Sequence, residues 1–259
     1  MIKYLTKLPL LKRLLPSIIR RICNLLNINF FVVRYEKIYL KLKIADAVDR
    51  HILFRGEYEN AQIEYLLESI KKNQIDYFID IGSNIGLYSL LVEKNFPKIK
   101  IFSFEPHPEN FKKLRNNILN NKIKNIEYLN YALGIDNEDR FMIEGSIPGG
   151  HKVSNNNSTT VDIGGGIRVQ AVKLESIMDK LKVDKINFLK LDCEGAEGEI
   201  IKSLGVTGLK KIDKIAVEFH NNHSILNHSE IENILNASGF TTTISWNGES
   251  YFGYIYGIR

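Results

Sequence analysis

The stretch Tyr77-Phe78-Ile79-Asp80-Ile81-Gly82-Ser83-Asn84-Ile85-Gly86-Leu87-Tyr88-Ser89 reads as a buried strand, a tight glycine turn and the opening of a helix. Gly82 lets the chain turn sharply, and Gly86 lets the helix approach the strand with no side chain between them. Further on, a second apolar strand, Ile101-Phe102-Ser103-Phe104, ends in Glu105. In alternating α/β folds a ligand lies at the carboxyl ends of such strands, near the switch in strand order. A nicotinamide dinucleotide calls for Gly-x-Gly-x-x-Gly to cradle its pyrophosphate, and Gly82-Ser83-Asn84-Ile85-Gly86 is one glycine short. Asp80, just ahead of the turn, suits a cationic group and repels a pyrophosphate. Glu105 can accept both hydroxyls of a ribose. A ribose, a positive centre and no phosphate describe S-adenosylmethionine.

Outward from this turn the chain alternates. Ile63, Leu66, Leu67 and Ile70 place a helix at about 59–70, before the first strand. Helices are expected at about 85–95 and 108–120, the second with Pro108 in its first turn and Glu109 near its positive end. Strands are expected at about 99–104 and 126–133. Residues 144–168 hold six glycines and the run Asn155-Asn156-Asn157, and read as a long surface loop that includes His151. Regular structure resumes with strand 169–172, a helix at about 174–181, strand 186–191, a helix near 196–204, strand 214–219 and a helix near 229–238. Two closing strands lie around 241–246 and 251–258. The pattern predicts an α/β fold with a doubly wound, mainly parallel sheet and an antiparallel edge strand.

The net charge of +5 over 259 residues is unevenly spread. Residues 1–43 carry ten Lys/Arg and one acid, Glu36, a net of +9 that leaves −4 on the remainder. This divides the chain into a basic N-terminal extension at 1–50 (a helix plus short strands) and a cofactor domain at 51–259 with the 144–168 insertion. From Ser17 on, Ile18, Ile19, Ile22, Leu25 and Leu26 fall at helical spacing beside Arg20 and Arg21. Two readings stand: a helix capping the domain or a partner, or peripheral contact of residues 1–28 with an anionic membrane. Cys23 and Cys193 give neither a disulfide framework nor metal spacing. With no apolar run long enough to span a bilayer and no secretory leader, a cytoplasmic location is expected. The oligomeric state is left open.

A third segment, Leu189-Lys190-Leu191-Asp192-Cys193-Glu194-Gly195-Ala196-Glu197, puts Asp192 at the mouth of the same sheet. The following strand, Ile215-Ala216-Val217-Glu218-Phe219-His220, carries Glu218 and His220 on one face at its carboxyl end. If the two strands are neighbours, Asp192, Glu194, Glu218 and His220 converge beside the cofactor. Glu197 and Glu199 read as acids favoured in the first turn of a helix.

These segments together resemble the FkbM family of S-adenosylmethionine-dependent methyltransferases. The resemblance rests on DIGSNIGLYS (80–89), FEPHPENFKKLRNN (104–117), YALG (131–134), LKLDCEGAEGEII (189–201) and VEFH (217–220). It implies a class I methyltransferase (Rossmann-like) fold and transfer of a methyl group to a hydroxyl of a sugar, glycan or related natural product. It also implies that Asp80, Gly82, Ser83, Asn84, Gly86, Glu105 and Asp192 hold S-adenosyl-L-methionine, with Asn130 to Ala132 against its adenine. Ser83 is a mild variation on the family pattern.

Methyl transfer is an in-line displacement that gains from alignment and from a base for the attacking hydroxyl. His220 is the expected base because its ordinary pKa lies near neutrality, with Asp192 orienting it or taking the proton itself. In an alternative, Asp192 and Glu218 hold Mg2+, which acidifies the bound hydroxyl. Rival functions are methylation of RNA or another small molecule, an oxidoreductase, and a cofactor-binding protein without catalysis. Nucleic acid is disfavoured because the basic charge lies outside the cofactor domain.

Overall fold

The computed structural model describes residues 9–259 except Gln74, Glu138, 145–150, 155–165 and Ser250. The described chain opens with α1 (Pro9–Leu25), the strands β1 (Phe30–Tyr35) and β2 (Ile38–Lys43), and the helices α2 (Ala47–Arg55) and α3 (Asn60–Lys71). It continues with β3 (Tyr77–Ile81), α4 (Leu87–Asn95), β4 (Lys100–Phe104), α5 (Pro108–Asn120), β5 (Ile126–Leu129) and β6 (Ala132–Leu133). Next come β7 (Asp139–Glu144), β8 (His151–Ser154), β9 (Ile167–Val172), α6 (Leu174–Leu181), β10 (Ile186–Leu191) and α7 (Glu197–Leu209). The chain closes with β11 (Ile212–His220), α8 (His228–Ala237), β12 (Thr241–Glu249) and β13 (Phe252–Ile258).

Seven strands form the main sheet in the order β12-β13-β11-β10-β3-β4-β5. Pairings from β5 through β11 are parallel, whereas β13 runs antiparallel to both β11 and β12. The antiparallel edge is therefore made by a reversed strand one place in from the rim. The chain leaves β3 toward β5 and returns to β10 on the other side of β3, so the switch in strand order lies between β3 and β10. Parallel strands need both faces covered, and the apolar runs of β3 and β10 meet that need. Phe78, Ile79, Ile81, Phe188, Leu189 and Leu191 are all buried, each contributing about 2 kcal/mol by removal from water. One core lies on the α6, α7 and α8 side; the other, under α3, α4 and α5, also takes in Tyr35, Ile38, Leu40 and Leu42 of the β1–β2 hairpin.

Three elements depart from expectation. The 144–168 segment is not one loop: β7, β8 and β9 join β6 in a second sheet of order β6-β9-β7-β8, while 145–150 and 155–165 lie outside the described residues. The alternation Ile167, Val169, Ala171, with the last two buried, extends the strand expected at 169–172 back to Ile167. The strand expected at 126–133 is broken at Asn130 and Tyr131, and its second piece joins that sheet. Helix α1 begins at Pro9, where the missing N–H costs nothing, and continues through Pro16.

Candidate functional site

The turn after β3 is shaped by backbone. Gly82 has φ +77°, and a Cβ on it would stand 1.6 Å from the carbonyl oxygen of Asp192. Glycine is thus required twice, for its conformation and for the close approach of the chain leaving β10. The amides of Gly82 and Ser83 both donate to the Phe104 carbonyl at 2.9 Å, and the Ser83 hydroxyl reaches the same oxygen at 3.2 Å. Gly86, φ +85°, brings α4 against Leu114 of α5. The Asn84 amide donates to Glu105 Oε2 and the His107 amide to Glu105 Oε1, each at 2.8 Å. Glu105 is held by both oxygens at the end of β4, and burial outweighs these two donors, raising its pKa to about 7. Asn130 reaches back to brace the strand end, its amide group donating to the carbonyls of Glu105 and Pro106.

A cleft of about 760 Å³, open to solvent, lies over these strand ends. Gly82, Asn84, Glu105, Tyr131, Ala132 and Asp192 line it, as do Glu59, Glu194 and Glu218. Among the described residues that line it, five are carboxylic acids (Glu59, Glu105, Asp192, Glu194 and Glu218), and none is a lysine, arginine or histidine.

Four residues expected at the cofactor, Asp80, Ser83, Gly86 and Asn130, do not line the cleft. Asp80 is fully buried and does not line the cleft. Side chains alternate along β3, so Ile79 and Ile81 face one core and Asp80 the other side, level with Lys190 of β10 and Ser103 of β4. There Ser89 donates to Asp80 Oδ2 at 2.6 Å and pairs with the Ser103 hydroxyl at 2.7 Å. Ser83 and Gly86 shape the turn behind the cleft and do not line it either.

The second half of the site is built from side chains. Lys190 Nζ lies 2.9 Å from Asp192 Oδ2, 3.9 Å from Asp80 Oδ1 and 4.5 Å from the Tyr88 ring centre. Burial disfavours this ammonium, but Asp192, Asp80 and Glu59 outweigh it and hold Lys190 protonated. Glu59, which caps α3 in a left-handed conformation (φ +46°), accepts the Tyr88 hydroxyl at 2.6 Å. Burial, then Asp192 and Glu59, push Glu218 well above the ordinary carboxylate range. Burial likewise raises Glu59. Across the ladder from Glu218 stands Tyr254, whose hydroxyl is buried among the same acids.

His220 is not suited to the role of base. Its ring nitrogens lie 3.4 Å from Glu197, 3.5 Å from Glu194 and 3.8 Å from Glu218. Burial opposes its charge, yet Glu197 and Glu194 outweigh it and raise its pKa to about 9, so the ring already carries its proton at neutrality. It stacks on Phe252 and does not line the cleft. Glu197 is structural: fully buried, it accepts the amides of Cys193 and Gly195 and fixes the loop after β10. The magnesium alternative also fails on geometry. The Lys190 ammonium occupies the Asp192 carboxylate, and the described residues contain no group of three His, Cys, Asp or Glu arranged to hold a metal.

Sequence reasoning missed Glu59, Tyr58 and Tyr88 as site residues and treated Lys190 only as a neighbour of Asp192. Glu59 precedes β3 by a whole helix and enters by tertiary packing. Lys190 was open to detection, since a lysine flanked by buried leucines in a central strand requires a buried partner.

Residues 80–242 match the family described as the methyltransferase FkbM domain. Hexuronic acid methyltransferase AglP of Haloferax volcanii is 29% identical over 168 residues, which span 64% of this chain and 63% of that protein. The match thus covers less than two thirds of that relative's length. The 31-O-demethyl-FK506 methyltransferase FkbM of Streptomyces tacrolimicus is 22% identical over 202 residues, 68% of this chain and 77% of that one. Among solved structures, a human methyltransferase 10 domain containing protein aligns with a TM-score of 0.50 at 14% identity, covering 94% of this chain and 96% of that one. This last likeness concerns the fold alone.

Proposed function

This chain belongs to the FkbM methyltransferase family, and on that footing we propose that it transfers a methyl group from S-adenosylmethionine to a hydroxyl oxygen of a sugar or related natural product. The observation that carries the reading is the lining of the cleft: five carboxylic acids and, among the described residues, no cationic side chain. Such a lining attracts a cationic, phosphate-free cofactor and repels the pyrophosphate of a dinucleotide. When bound, S-adenosylmethionine supplies an electrophilic methyl group on a positively charged sulfur.

The residues of the chain divide the remaining work. Glu105, held by two amides, presents its outer lone pairs for ribose hydroxyls, and Tyr131 and Ala132 offer an apolar wall for the adenine. Glu218, at the carboxyl end of β11 beside Asp192, takes the proton of the attacking hydroxyl, its proton affinity raised by burial and by the neighbouring acids. Asp192, tied to Lys190 at the mouth of the sheet, aligns the two reactants. A sugar acceptor is favoured by the name of the Haloferax relative, a hexuronic acid methyltransferase. Calorimetry with S-adenosylmethionine and transfer of a labelled methyl group to a panel of glycans test this. Absence of cofactor binding would undo it, and transfer only to non-sugar alcohols would move the acceptor class to the natural products that the Streptomyces relative's name suggests.

A further inference from the structure

The N-terminal region presents an apolar surface that the described residues leave exposed. Helix α1 docks through Ile19 and the buried Cys23, which pack with Phe31, Ile44 and Phe54. Next to that docked side, Ile18, Ile22, Leu25 and Leu26 stay about half or more exposed, Leu25 at 83%. The β1–β2 hairpin repeats the pattern. Its inward face carries Tyr35, Ile38, Leu40 and Leu42 into the core. Its outward face pairs Phe30 with Lys43, Val32 with Lys41 and Arg34 with Tyr39 across the ladder. Phe30, Val32 and Tyr39 are 46%, 65% and 50% exposed, and Lys41 Nζ lies 4.5 Å from the Phe30 ring centre. A solvent-facing strand side is ordinarily polar throughout. Here each of the three cross-strand pairs sets one apolar or aromatic residue against one cation, and no acid stands among the six.

We infer that α1 and the outward face of the β1–β2 hairpin form one docking surface for an anionic phospholipid bilayer. The charge distribution selects this occupant. Residues 1–43 hold ten Lys/Arg against the single acid Glu36, so a second copy meeting this face would set like charge against like. Nucleic acid would match the cations but leave the aliphatic Ile18, Ile22, Leu25 and Leu26 in water. A bilayer interface satisfies both sets: side chains sink into the acyl boundary while Arg20, Arg21, Arg34, Lys41 and Lys43 meet the headgroups. Within the described residues no helix is long and apolar enough to cross a membrane, so the contact lies in the plane of the interface. The surface is separate from the cleft and does not depend on the reaction assigned to it.

The test is flotation of the full chain with vesicles of pure phosphatidylcholine and with vesicles containing about 30 mol% phosphatidylglycerol, at low and high salt. Binding to the anionic vesicles alone, weakened by salt, is expected. Ile18→Ser, Ile22→Ser, Leu25→Ser and Leu26→Ser combined should weaken it about tenfold or more, and so should Arg34→Gln, Lys41→Gln and Lys43→Gln combined. All seven side chains point away from the core, and circular dichroism checks that each variant folds. Absence of binding to anionic vesicles would overturn the inference, as would binding unchanged in both variants. A self-associated species in sedimentation velocity, lost in the Ile/Leu variant with no vesicle binding by the parent, would assign the face to a second copy. Tighter binding to an RNA oligonucleotide than to vesicles would assign it to nucleic acid.

Discussion

The two halves of the cleft are built by different means. On the β3–β4 side, position is set by backbone: the positive φ of Gly82 and Gly86, the Phe104 carbonyl, and the amides of Asn84 and His107 on Glu105. On the β10–β11 side, it is set by ionisable side chains from four elements, with Lys190 among Asp80, Asp192 and Glu59, and Glu218 beside His220. Backbone hydrogen bonds are local and tolerate many side chains, so the first half suits a cofactor shared by many relatives. Side-chain clusters can be rearranged by single substitutions, so the second half suits an acceptor that differs from one enzyme to the next.

The sharpest way to break this division is to put a side chain where the backbone needs none. Gly82→Ala should cost about 4 kcal/mol in urea unfolding, from strain at positive φ plus overlap with the Asp192 carbonyl. A loss under 1 kcal/mol, on the order of an ordinary surface change, would mean the turn is free to shift. Next in size, Glu218→Gln should lower kcat about a hundredfold or more while leaving S-adenosylmethionine affinity in calorimetry at the parent level. Parallel loss of cofactor affinity would show that the halves do not divide the work.

His220 tests the electrostatics of the side-chain half. Its folded pKa of about 9 lies above the ordinary value of 6.5, so its protonated form stabilises the fold. That contribution is complete below about pH 6.5 and is lost as pH rises through 9. Relative to His220→Gln, the parent should therefore lose about 2 kcal/mol of unfolding free energy between neutral pH and pH 10. Identical pH profiles for the two proteins would remove the imidazolium from the account. The smallest effect concerns the backbone half. Glu105, with a pKa of about 7 in the empty cleft, keeps its proton below that pH and becomes a full acceptor for two hydroxyls above it. Affinity for S-adenosylmethionine should rise about tenfold from pH 6 to pH 8, and Glu105→Gln should be weaker and independent of pH.

The same division explains what the sequence disclosed. The turn and Glu105 were legible because a backbone-built site writes itself into contiguous residues, and α5 was expected and found at 108–120 for the same reason. The partners of Asp192 were only half legible. Glu218 follows from strand alternation, but Glu59 and Tyr88 come from other helices and no spacing links them to it. Asp80 was expected against the cofactor because its place in the turn motif was read without its strand face. His220 was expected as a base from its ordinary pKa, which three carboxylates packed around it displace. The strand β8 was not expected because it lies in the glycine-rich 144–168 segment, where pairing with β7 overrides weak local propensity.

The contact between Gly82 and the Asp192 carbonyl has one more consequence. It leaves no slack between the loops that follow β3 and β10, so a graft of the acceptor half from a relative has to reproduce the path of the chain at 192–195 as well as its side chains. That path includes Glu194 in a left-handed conformation and Gly195 at φ +115° against His223. Chimeras joined outside this segment carry the seam with them; those cut within it inherit a mismatch at a place where two backbones already touch.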